Sequence, residues 1–103
     1  MEVYTTPEFE KWLMNLRDAI AQAKIASLLD RLENAPTIIG DWKTVGNGIG
    51  ELRVDHGPGY RLYFARKGNR VVVLLIGGDK RRQQADIKNA CRILDELKNQ
   101  GEW

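Results

Sequence analysis

The sequence predicts an α+β fold in which an N-terminal helical hairpin and a C-terminal helix pack on a small antiparallel β-sheet, in the order β-α-α-β-β-β-α. Three observations carry this. Apolar residues recur three and four apart in the first third of the chain and again near its end. Between Ile49 and Ile76 the spacing falls to two, then to a continuous apolar run. Glycine-rich punctuation separates the blocks. Helices flanking consecutive strands are expected on one face of an antiparallel sheet, and a chain of 103 residues supports a single domain, 1–103.

Residues Val3 to Thr5 suit a short first strand. Thr6-Pro7-Glu8 is a helix start: a hydroxyl cap, proline at the first helical position, and an acid beside the positive end of the helix. Phe9, Trp12, Leu13 and Leu16 form its apolar stripe. A second helix follows a break near Arg17–Ala19, with a stripe through Ile20, Ala23, the alkyl stem of Lys24, Leu28 and Leu32, widened by Ile25 and Leu29. Asn34-Ala35-Pro36 ends it, because the residue before proline resists the helical conformation. Gly40, Gly46, Gly48 and Gly50 then suggest a loop holding Trp42 and Lys43. In the next strand Leu52 and Val54 oppose Glu51, Arg53 and Asp55. His56-Gly57-Pro58-Gly59 is a turn. Tyr60, Leu62 and Phe64 share one face of the following strand, and Arg61, Tyr63 and Ala65 the other. After the Lys67-Gly68-Asn69 turn, Val71 to Ile76 reads as a central strand, which Gly77-Gly78-Asp79 is expected to break. Ile87, Ala90, Cys91, Leu94 and Leu97 mark the last helix.

The composition, 43% hydrophobic and 29% charged, is that of an ordinary globular domain. The single cysteine excludes an internal disulfide and, with no basic-then-apolar leader in MEVYTTPEFE, sets the expectation of a cytoplasmic protein. No apolar run is long enough for a membrane helix. The net charge of +2 conceals an asymmetry: four cations and seven acids up to Trp42, but nine cations against Glu51, Asp55 and Asp79 from Lys43 to Arg82. Such clustering creates an anion-binding surface, with RNA as the first ligand to consider. The glycines at 46, 48 and 50 precede no helix and form no dinucleotide fingerprint, and Cys91 has no metal-ligand companion, so neither a cofactor nor a metal is expected.

The run GxGxxELRxxxGPGYRxYF at 46–64, VVVLLIGGDK at 71–80 and the Gln-x-x-Asp-Ile step at 83–87 resemble the RelE/ParE toxin superfamily, and within it the HigB-like, phage-related addiction-module killer proteins. The resemblance spans nearly the whole chain and implies the toxin of a type II toxin–antitoxin module. Its implied activity is a metal-independent, ribosome-dependent mRNA endonuclease in which the 2′-hydroxyl attacks the adjacent phosphate. Its implied partners are the ribosome, mRNA and a cognate antitoxin, often with a helix-turn-helix.

That mechanism needs cations around the phosphorane and groups that move two protons. By resemblance Arg61 is the phosphate-stabilising arginine, and Lys80 or Arg81 supplies a second cation. The chain departs from RelE where that enzyme has lysines on the first hairpin strand (here Ile49 and Glu51) and a tyrosine at the terminal helix (here Asp86 or Ile87). The general base is therefore open between His56 and Glu51. Arg53, Lys43, Arg66 and Arg82 are expected RNA contacts, with Tyr63 stacking on a base. Blander roles compete: Arg61 as a cross-strand ion pair, and His56 as a surface turn residue. Two other functions do so too: a ParE-like toxin acting on DNA gyrase without cleaving RNA, and an inactive antitoxin-binding module.

Overall fold

The structure, a computed structural model, describes residues 1–103. Strand β1 is Glu2–Thr5, helix α1 Pro7–Met14 and helix α2 Ala19–Glu33. Strands β2 (Asp41–Gly46), β3 (Ile49–Val54), β4 (Tyr60–Lys67) and β5 (Val71–Asp79) follow. A 3-10 turn, Lys80–Arg82, leads into helix α3, Gln83–Asn99. No helix is long and apolar enough to cross a membrane.

The helix starts follow the local chemistry. Phe9 N–H donates to Thr6 Oγ1 at 3.0 Å, with Pro7 inside the first turn. Asp18 caps α2, accepting from the backbone of Ile20 and Ala21. The buried side of α2 is rotated from the expected stripe: Ala21, Ile25, Leu28 and Leu32 face the sheet, and Ile20 is 63% exposed.

Three expectations for the sheet are corrected. It has five strands, in the order β1-β5-β4-β3-β2, because the presumed loop at 41–46 is an edge strand paired with β3. Its hairpin closes through Asn47 and Gly48, both at positive φ (56° and 77°), the conformation of a two-residue turn matched to strand twist. The sheet is mixed rather than antiparallel, since β1 runs parallel to β5 (Glu2↔Val71 to Thr5↔Leu74). Helices cover both faces. Phe9 of α1 and Ile25, Leu28 and Leu32 of α2 pack with Leu52, Leu62, Phe64, Val72 and Leu74 on one side. Ala90, Ile93 and Leu94 of α3 pack with Ile49, Tyr63, Ala65 and Leu75 on the other. A continuous apolar run such as Val71–Ile76 needs cover on both faces, which a single helical layer does not give.

Strand β5 also continues through Gly77 and Gly78 instead of stopping. The missing side chains are what allow both helical layers to approach. A Cβ on Gly77 would fall 2.3 Å from the Trp12 ring of α1, and one on Gly78 would fall 1.9 Å from Asp86 Oδ2 of α3.

Candidate functional site

The registers Asp41↔Arg53↔Arg61↔Gly78 and Lys43↔Glu51↔Tyr63↔Ile76 place these side chains in two neighbouring rows on the α3 face of the sheet. Helix α3 covers the apolar part of that face, and its first turn stands over the polar end.

Arg53 and Arg61 are directly opposite, an arrangement that repels unless an anion lies between them. Glu51 is that anion. Its side chain is wholly buried, with Oε1 3.3 Å from Arg53 Nε and 3.7 Å from Arg61 Nε. Oε2 accepts from Tyr63 Oη at 3.2 Å and from Gln83 Nε2 at 2.7 Å. Both carboxylate oxygens are therefore engaged by protein groups. Arg61 donates from Nη1 to Tyr60 O at 3.2 Å, while its buried Nε has no hydrogen-bond acceptor and Nη2 none within the protein. Two guanidiniums on one carboxylate leave one excess positive charge and outward-facing donors. The planar fork of arginine matches phosphate oxygens.

Beyond the strand ends, Lys80 N–H donates to Gly59 O at 2.9 Å. A Cβ placed on Gly59 would contact both the Lys80 side chain (3.5 Å) and Arg61 Nη1 (3.6 Å), so these two cations flank one glycine. Arg81 differs. Asp79 holds its guanidinium through Nε at 3.3 Å and Nη2 at 2.8 Å, and also accepts from its backbone N–H. That pairing, chiefly the side-chain hydrogen bond, pulls Asp79 below the usual carboxylate range. Arg82 is exposed and in no ion pair. Lys43 is exposed on the rim of the Glu51 row.

Four sequence expectations are corrected by this geometry. Tyr63 has no accessible ring face for a base, being fully buried; burial first, then the Glu51 charge, raises its hydroxyl well above the ordinary tyrosine value. Glu51 is an internal anchor for arginines, with no oxygen turned to solvent to take a proton from a substrate. His56 leaves the arginine cluster: its Nε2 lies 3.0 Å from Asp18 Oδ2, at the start of the helix on the opposite face. Arg66 also lies on the opposite face, in register with Val72, with its guanidinium 5.5 Å over the Trp42 ring.

Two residues of the site had not been given roles from sequence. Gln83 ties α3 to Glu51. Asp86, 5% exposed, rests on Gly78 with Oδ2 unpartnered. Burial raises its pKa, Arg82 opposes that, and Asp79 adds to it. A polar residue in line with Ala90, Ile93 and Leu94 was the available sequence signal.

A mixed sheet between two helical layers, with an arginine cluster at its end, defines a small α+β domain with a cationic face. The chain belongs to the family described as Phage derived protein Gp49-like (DUF891), whose model matches residues 11–98; it is a RelE/toxin-like family. It is also 42% identical over 97 residues to an uncharacterized protein of Haemophilus influenzae (strain Rd), covering 94% of this chain and 96% of that one.

Proposed function

We propose that the protein is the toxin of a type II toxin–antitoxin module and acts as a metal-independent, ribosome-dependent mRNA endonuclease of the HigB-like kind. The carrying observation is the Arg53–Arg61 pair on buried Glu51, with Lys80 beside it across Gly59. Arg61 stabilises charge on the scissile phosphate; Lys80 and Arg82 hold adjacent phosphates, and Lys43 the outer rim. Glu51, Tyr63 and Gln83 position the guanidiniums, and Arg81 is tied to Asp79. Membership of a RelE/toxin-like family supports the same reading. A cognate antitoxin, the ribosome and mRNA are its proposed partners.

The test is induced expression of wild type and Arg61→Ala, read by growth and by primer extension on cellular mRNAs. Growth arrest with codon-positioned cuts, both lost in the variant, is the expected result. Equal toxicity of the two, or arrest without cuts, refutes it. One observation favours a second reading, a non-cleaving toxin acting on DNA gyrase: His56 and Glu51, the two candidate bases, are engaged away from the open face. Gyrase–DNA cleavage complexes without mRNA cuts would establish that alternative.

A further inference from the structure

Two carboxylates are buried in the molecule, Glu51 and Asp86, and both lie between the sheet and α3. Glu51 has both oxygens taken by protein donors. Asp86 has neither. Its Oδ2 is sealed from solvent without a donor, and Oδ1, equally without one, is the oxygen left in contact with solvent. Asp86 stands in the first turn of α3, yet its carboxyl caps none of the N–H groups there.

A carboxyl without a partner at this depth lowers stability. It also constrains a second position, because Asp86 Oδ2 occupies the place a Gly78 Cβ would take. Register sets what stands beside it: Gly78 pairs with Arg61. The only two buried side-chain polar atoms lacking a hydrogen-bond partner are thus Asp86 Oδ2 and Arg61 Nε, an acceptor and a donor one strand apart. No ion pair joins the two residues. Arg82 and Asp79 face the carboxyl from the end of β5 and the turn, and Arg61 and Tyr63 from β4. Burial is the largest influence and raises its proton affinity, which makes it a stronger base than an ordinary aspartate.

We propose that Asp86 is the general base of RNA cleavage, its Oδ1 taking the proton of the 2′-hydroxyl while Arg61 holds the adjacent phosphate. The inference rests on the endonuclease reading above and supplies the proton acceptor that His56 and Glu51, both engaged elsewhere, do not. Attack needs the 2′-oxygen about 3–3.5 Å from phosphorus, a separation that a base and an arginine on neighbouring strands can serve together. The bond from the 2′-oxygen to phosphorus forms and the bond from phosphorus to the 5′-oxygen breaks. Its electron pair leaves on the 5′-oxygen, which takes a proton from water. Asp86 then returns its proton to the hydroxide so formed.

The test is single-turnover cleavage of mRNA on programmed ribosomes at pH 7 by wild type, Arg61→Ala and Asp86→Asn, with ribosome binding and Tm measured for each. Asparagine keeps the shape of the side chain and cannot take the proton. Asp86→Asn is expected to cut about 10²–10⁴-fold more slowly, with unchanged ribosome affinity and a Tm above wild type. Cleavage within about tenfold of wild type would overturn the inference and leave the endonuclease reading standing, provided Arg61→Ala is inactive. A slow variant with a lowered Tm or weakened ribosome binding would also overturn it, making Asp86 a structural residue. If wild type makes no cuts, the endonuclease reading fails and the inference falls with it.

Discussion

Replacing Glu51 by glutamine keeps the shape of the side chain and removes its charge. In the native protein that charge is wholly buried, and it lies between Arg53, whose side chain is 36% exposed, and Arg61, whose side chain is 17% exposed. Loss of the Arg53 contact falls in the range for solvated pairs, about 0.2–1 kcal/mol. Leaving a buried charge without its partner costs about 3–5 kcal/mol, and partial exposure of Arg61 lowers that figure. Glutamine still accepts one hydrogen bond from Tyr63 or Gln83, so the expected total is about 3 kcal/mol. For a domain of this size that corresponds to a fall in Tm of roughly 12–24 °C. Urea unfolding of wild type, Glu51→Gln, Arg61→Ala and the double variant gives the coupling directly. With Arg61 already absent, the glutamine substitution should cost about 1–3 kcal/mol less. A loss below about 1 kcal/mol for Glu51→Gln, or additivity of the two changes, would refute the assignment of Glu51 as the anchor of Arg61.

Binding of single-stranded RNA should weaken with salt by about 0.7 log–log units of slope for each phosphate contact. Arg61→Gln and Lys80→Gln should each reduce the slope by about that amount, while Arg66→Gln, on the far face over Trp42, should leave it unchanged. Gly78→Ala forces a Cβ against the Asp86 carboxylate and Gly77→Ala one against Trp12; each should lower stability by on the order of 1–3 kcal/mol or more, read from the urea midpoint. Asp86 binds its proton more tightly folded than unfolded, so its contribution favours the fold below about pH 4 and is lost as pH rises through its elevated native value. Asp86→Asn should therefore raise Tm at pH 7 and leave it nearly unchanged at pH 3; a lower Tm at both would contradict that sign. Asp18 runs the other way. The Ala21 N–H and then His56 hold its carboxyl below the usual range, so its contribution is present above the ordinary aspartate value and is lost as pH falls through the lowered one. His56→Ala should flatten that acid limb of a thermal-melt series.

Local chemistry was readable where neighbours along the chain decide it. Thr6-Pro7 set the start of α1, and the alternation around Arg61 assigned its face correctly. The turn Asn47-Gly48 was equally local, but the surrounding glycines disguised strand β2 as a loop. What could not be read was non-local. Nothing near Val3 announces that its partner is Val72 in a parallel register. Tyr63 and Arg61 alternate on the same face, yet only the position of α3 decides that one is buried and the other reaches outward. The carboxylate of Glu51 became an anchor for the same reason: Gln83, 32 residues later, closes over it.

The parallel pairing of β1 with β5 bears on when the molecule exists at all. Glu2 is made before its partner Val71, which arrives 69 positions later. Closure of so long a loop is slow compared with formation of either helix. The arginine face completes later still, since Gly78, Lys80 and Gln83 follow Val71. A growing chain therefore carries Arg53 and Arg61 without the frame that aims them, and the arginine cluster is assembled only once Gln83 has been made.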